Sequence, residues 1–237
     1  MKENGKLVEL YNSKWEALSE TLVDFNNKIR VDDDFKKLVA NPLLLQIDEN
    51  YANAELKIMF FGQETNGWGE DFTGEIEPEI QRYIRFYLND GYKQYGGQFW
   101  NGVNRMKQIF NINSNKTVGY IWNNVVKIGL CSKGYPYESH KFTLKYFDVL
   151  KAEIKILKPD VLIFLSGPGY DIEIENAIGE YLKSEIDGFS LRKLCEFKFK
   201  EDLGIKKAFR TYHPNYLWRN GIDDYFNAIS NEIKGIL

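Results

Sequence analysis

The sequence predicts an α/β fold: a three-layer α/β/α sandwich around a central, mainly parallel sheet of about four or five strands. Short apolar runs of strand length, such as Leu56–Phe61 and Val161–Leu165, alternate with longer stretches whose apolar residues recur at helical spacing. Glycine-rich turns stop two of the runs, at Gly62 and at Gly167-Pro168-Gly169. The 237 residues contain no repeat, low-complexity tract or Pro/Ser-rich linker, so a single domain, residues 1–237, is expected.

Leu7, Leu10, Leu18, Leu22, Phe25 and Ile29 recur at steps of three and four, with one step of eight between Leu10 and Leu18, which predicts a long amphipathic helix. It is the main part of an N-terminal helical segment, residues 1–50, packed on the core. Asp32-Asp33-Asp34 offers N-caps for a short helix through Phe35–Val39, closed before Asn41-Pro42. Leu56–Phe61 is the first buried strand. Pro78 opens a helix that stops at Asn89-Asp90-Gly91; Phe99–Phe110 is helical, and Asn111–Asn115 turns. Tyr120–Lys127 is β-branched and aromatic, hence a strand. Thr143–Leu157 reads as one helix ended by Lys158-Pro159, and Asp160–Ser166 as the next buried strand. Leu194–Lys200 and Lys207–Tyr212 are two further strands, and Ile222–Leu237 is the closing helix.

Composition excludes several function classes. Lys plus Arg number 31 against 34 Asp plus Glu, a net charge of −3, so no basic body advertises a polyanion partner. The apolar runs fall far short of the roughly 20 residues of a membrane span. The start, Met1–Lys6, leads directly into a charged amphipathic stretch with no visible signal peptide, so a cytoplasmic protein is expected. Cys131 and Cys195 are expected as reduced thiols; 2 Cys and 2 His cannot build a Cys-rich zinc site or a four-cysteine iron–sulfur cluster, and no metal is expected. Aromatic residues reach 15%, which supplies stacking surface beyond the needs of a core.

In open α/β sheets, ligands bind outside the carboxyl ends of the strands. That rule selects Gly62–Gly69, the segment at Asn123–Lys127, Ser166–Gly169 and the chain from His213, which should converge. Gly62-Gln63-Glu64-Thr65-Asn66-Gly67-Trp68-Gly69 delivers a carboxylate, amides and glycines into a turn. A carboxylate there suits water activation or charge stabilisation, although a solvated turn would read the same. It is neither a P-loop nor a dinucleotide fingerprint. His213 leaves a strand end, is followed by Pro214, and sits among Asn215, Tyr216, Trp218 and Arg219, which suits an imidazole aimed at a ligand. His140 reads as a surface residue. Period-two alternation puts Asn123 and Asn124 on opposite faces, so one amide is structural or reaches a pocket.

Together these segments resemble the uracil-DNA glycosylase superfamily. Gly62-Gln63-Glu64-Thr65 is similar to its first motif, of Gly-Gln-Asp-Pro-Tyr type, with Thr65 and Asn66 in place of proline and tyrosine. His213-Pro214-Asn215-Tyr216-Leu217 is similar to its His-Pro-Ser-Pro-Leu motif, with Asn215 and Tyr216 in place of serine and proline. Asn124-Val125-Val126-Lys127 resembles the strand that carries the base-reading asparagine. Gly97-Gln98-Phe99-Trp100 resembles a stretch of the mismatch-specific branch, and Lys158–Ile163 the start of the third strand. The segments run in the expected order from Leu56 to Gly221.

The resemblance implies a uracil-DNA glycosylase-like fold and an enzyme that hydrolyses the N-glycosidic bond of a flipped deaminated base in DNA; two cysteines exclude the iron–sulfur cluster of one branch, so no cofactor is expected, and a monomer is expected. It implies catalytic roles for Glu64, which positions water and stabilises an oxocarbenium-like sugar, and for His213, which hydrogen-bonds the departing base as a neutral imidazole. Gln63 and Asn124 contact the base, and Tyr92 and Tyr95 are candidates to sandwich it. Leu217 is the wedge that fills the vacated stack, and Arg219, with Arg210, makes the histidine loop locally basic for DNA contact. Two other readings stand beside it. One is a superfamily member without glycosylase chemistry that binds a nucleotide, nucleic acid or protein. The other is an unrelated α/β enzyme using Glu64 and His213 as an acid–base pair.

Overall fold

The computed structural model describes residues 1–69 and 71–236. In chain order the helices are α1 (Lys2–Val31), α2 (Glu49–Ala52), α3 (Glu77–Tyr83), α4 (Gly91–Tyr95), α5 (Gly97–Asn113), α6 (His140–Tyr146), α7 (Leu150–Leu157), α8 (Asp171–Ile178), α9 (Pro214–Leu217) and α10 (Ile222–Glu232). The strands are β1 (Leu56–Glu64), β2 (Val118–Val126), β3 (Val161–Phe164), β4 (Tyr181–Glu185), β5 (Leu194–Phe199) and β6 (Lys207–Thr211). They form one six-stranded sheet in the order β2-β1-β3-β6-β5-β4. β2, β1, β3 and β6 run parallel, and β5 pairs antiparallel with both β6 and β4. Helices cover both faces, as a three-layer α/β sandwich requires.

The sheet is larger than the four or five strands expected, because β4 carries no sequence signal. Its residues Tyr181-Leu182-Lys183-Ser184-Glu185 are all at least partly exposed, a short polar edge strand with neither an apolar run nor a clean alternation. The central strands read correctly because all four residues of β3 and most of β1 are buried.

The β1–β2 register alternates two faces. Phe60, Gly62, Trp122 and Asn124 point toward α5: Phe60 packs on Phe99, 6.5 Å between centroids, and Gly62 lies opposite Asn124. Met59 and Asn123 point the other way, toward Glu153 of α7. α5 packs with α9 and α10, while α1 packs on α6 and α7. The chain therefore leaves β1 toward β2 over one face and returns to β3 over the other, so the connections part at the carboxyl end of β1.

α1 buries Leu7, Tyr11, Leu18, Leu22, Asn26 and Ile29, and its amides stitch down the extended segment between α1 and α2. Asn26 exchanges two hydrogen bonds with the backbone of Val39, and Asn4 does the same with Ile47. This competition limits the helix expected over Phe35–Val39 to a 3-10 turn, Phe35–Lys37, and Asp34 makes no side-chain cap. The helix expected over Thr143–Leu157 is two helices, α6 and α7. Phe147 leaves helical geometry at φ −134° and ψ +42°, and the chain breaks there before α7 begins at Leu150. The final helix ends at Glu232, and Leu237, its expected end, lies outside the described residues. Among the described residues, no helix is long and apolar enough to cross a membrane.

Candidate functional site

β1 outruns β3 beyond Phe61, so Gly62-Gln63-Glu64 keep β2 alone as a parallel neighbour, and the turn beyond is anchored rather than loose. The Thr65 hydroxyl accepts the Gly129 N–H at 2.8 Å, which ties the turn to the chain beyond β2. Leu165 N–H bonds Phe61 O and Gly167 N–H bonds Thr211 O, both at 2.9 Å, which draws the ends of β1, β3 and β6 together. A cleft of about 620 Å³ opens at this edge, within the roughly 300–1,000 Å³ of small-molecule sites. Glu64, Asn124 and His213 all line it. Its walls are aromatic: Trp68, Phe86, Phe99, Trp100 and Trp122.

Asn124 is 2% exposed. Its Oδ1 accepts the Trp122 indole N–H at 3.2 Å, while its Nδ2 has no partner among the described residues. A buried amide donor left free costs stability unless something in the cleft accepts from it. Gly62 makes room for this amide, since a Cβ there would sit 2.4 Å from Asn124 Oδ1 and 3.2 Å from the Phe99 ring. Gly62→Ala is therefore expected to lower stability by about 1–3 kcal/mol and to displace the Asn124 amide. Denaturant unfolding reads the first effect and a crystal structure the second.

Asn123, on the other face, is fully structural. Its amide donates to Glu153 Oε2 at 2.9 Å and its Oδ1 accepts from Lys127 at 2.8 Å, in a buried network that Tyr11 completes with 2.7 Å to Glu153 Oε1.

His213 begins α9, and its Nδ1 accepts the Asn215 N–H at 3.1 Å. The neutral ring then carries its proton on Nε2, as a donor. Burial pulls the imidazole down to about 4, so it is uncharged at neutral pH. Its ring lies against Phe99, 5.4 Å between centroids and tilted by 30°. Glu64 is pushed above the usual carboxylate range by burial, opposed by a hydrogen bond that its Oε2 accepts from Tyr170.

The other expected residues divide. Gln63 lines the cleft, but its Nε2 donates to Ser166 O at 2.8 Å, so that half of the amide is committed to the loop after β3. Tyr95 lines the cleft as an exposed rim residue beside Phe86. Tyr92 does not line it: the ring is buried behind the wall, 4.6 Å from Trp100. Arg219 is exposed on the histidine loop, its Nε donating to Asn215 O.

Leu217 is 0% exposed, so the wedge expected there is corrected: the short helix turns this side chain into the core. Leu217→Ala should cost about 2–5 kcal/mol of stability, measured by chemical unfolding, as for any emptied core site. Arg210 is corrected too. It is 1% exposed and its guanidinium is spent on Asp171 and on the carbonyls of Leu191 and Arg192, so it lends the loop no free charge. His140 is buried rather than superficial, with Nε2 2.9 Å from Glu173 Oε2.

Sequence reasoning missed two kinds of residue. Trp122 shares the face of Asn124 by period two, a signal available in the strand itself. Tyr170 lies just past the Ser166–Gly169 turn and carries no local signal, because its partner Glu64 is 106 residues away. Compared with known proteins, the chain matches no protein-family description and no curated protein.

Proposed function

We propose that the cleft receives a nucleobase flipped from DNA, and that the protein is a uracil-DNA glycosylase-like enzyme hydrolysing the N-glycosidic bond of a deaminated base. The observation that carries this reading is the meeting of Glu64, Asn124 and His213 in one aromatic-walled cleft at the end of β1. The chemistry needs those three functions. A flipped base offers a planar face to aromatic walls and a polar edge to an amide, and Asn124 Nδ2 is an unpartnered donor suited to a ring carbonyl. The departing base carries negative charge, and a neutral His213 with its proton on Nε2 donates to it without having to lose a charge first. Glu64 is the carboxylate that orients water and faces the developing positive sugar.

The C1′–N bond breaks with its electron pair passing to the base, the oxygen of water adds to C1′, and the water's proton passes to Glu64 and from there through solvent to the base anion, which restores the carboxylate.

A second reading has its own observations. With Leu217 buried and Arg210 consumed, two expected DNA contacts are gone, and the net charge stays at −3. These favour a cleft that binds a base or nucleotide without cutting it. Incubation with end-labelled oligonucleotides bearing uracil, hypoxanthine or xanthine, single- and double-stranded, separates the two. Alkali-labile abasic sites support the enzyme, and binding without them supports the second reading.

A further inference from the structure

Tyr170 reaches Glu64 from a separate part of the fold. It ends the 3-10 turn Pro168–Tyr170, which is built on Gly167 at φ +80°. The Gly167 N–H bonds Thr211 O, and the Tyr170 N–H bonds Gly167 O at 3.2 Å, so the turn is fixed to the end of β6. The Tyr170 hydroxyl donates to Glu64 Oε2, while Oε1 accepts no hydrogen bond among the described residues. Behind it, Tyr135 meets the Tyr170 ring edge-on at 6.0 Å and is itself held by Glu173, 2.7 Å from its hydroxyl. Glu173 gives its second oxygen to His140, so the cluster's other carboxylate is fully occupied and does not line the cleft.

We propose that Tyr170 is the positioning residue of the Glu64 carboxylate, holding Oε2 so that Oε1 is the oxygen presented to water and sugar. The proposal rests on the glycosylase reading of the cleft. A carboxylate with a free torsion samples several orientations, and one charge-assisted bond from a rigid phenol selects one of them. The same bond favours the ionised form, against the burial that disfavours it. Among the described residues, the titratable groups on the near side are Tyr170, Tyr135 and Glu173. Across the cleft stand His213, which is neutral at neutral pH, Lys133, the rim residue Tyr95, and Arg82, which is paired with Glu79.

The test follows the Glu64 carboxyl directly. In protein carrying 13C-labelled glutamate, its resonance is assigned by its loss in Glu64→Gln and titrated by NMR in wild type, Tyr170→Phe and Tyr170→Leu. With the donor gone, burial acts alone, and the midpoint should rise by about one pH unit in both variants. Single-turnover excision by Tyr170→Phe should fall at least about tenfold at neutral pH, its acid limb displaced upward by the same shift, with binding to an abasic duplex unchanged. Amide spectra confirm that the variants are folded. A Glu64 carboxyl that titrates identically with and without the phenol overturns the proposal. Wild-type protein that releases no base overturns the glycosylase reading instead, and the titration still decides whether Tyr170 holds Glu64.

Discussion

Glu64→Gln is expected to slow single-turnover release of a deaminated base by roughly a hundredfold or more, the scale of losing one preorganised electrostatic contact. Binding to a duplex bearing an abasic site should change little. In the proposed reaction the carboxylate would act where positive charge develops on the sugar, whereas in the ground state the substrate's phosphates would repel it. The amide keeps the shape and can still accept from Tyr170, so the loss measures charge rather than packing. Quench-flow kinetics beside equilibrium binding reads both halves. A variant with wild-type rates would take Glu64 out of the mechanism.

The second large effect lies beneath the site. Lys127 and Glu153 are 1% and 0% exposed, 2.8 Å apart, and share Asn123 as a partner, while Glu153 also accepts from the Tyr11 hydroxyl. Burial lowers the Lys127 ammonium from its usual range, and the Glu153 charge opposes that shift. Glu153→Ala strands the lysine without its counter-charge, and the expected loss is about 3–5 kcal/mol in urea unfolding. The stranded lysine has a folded pKa further below its unfolded value, so the unfolded chain binds more protons over that interval. The variant's stability should therefore recover as pH rises toward the unfolded value. The double variant Lys127→Met/Glu153→Leu should regain only part of the loss, because the stranded charge is gone but the buried Asn123 amide and Tyr11 hydroxyl lose their acceptor.

How much of the fold is legible in the sequence depends on where each signal resides. β1 and β3 announce themselves because strands buried on both faces are continuous apolar runs. Glu64, Asn124 and His213 are legible as a group because each sits at or beyond a strand end, and parallel strands bring those ends to one edge. Leu217 is misplaced by sequence because four-residue spacing from His213 fixes position along the chain but not direction; α9 turns Leu217 inward and leaves Trp218 exposed. Arg210 reads as a loop charge because nothing local reveals that its partner, Asp171, is 39 residues away. Tyr170 escapes for the same reason. Contacts of long sequence separation are set by tertiary packing, and no short pattern encodes them.

Hydrolysis of a glycosidic bond in this cleft is tested most directly by measuring the free base itself. Wild type, Glu64→Gln and His213→Ala are incubated in single-turnover excess with oligonucleotides carrying uracil, hypoxanthine or xanthine, and the released base is quantified by mass spectrometry. Wild type is expected to release at least one of these bases stoichiometrically, with intact phosphodiester bonds and a large loss in both variants. No free base from any of them, or equal release by all three proteins, would contradict the claim.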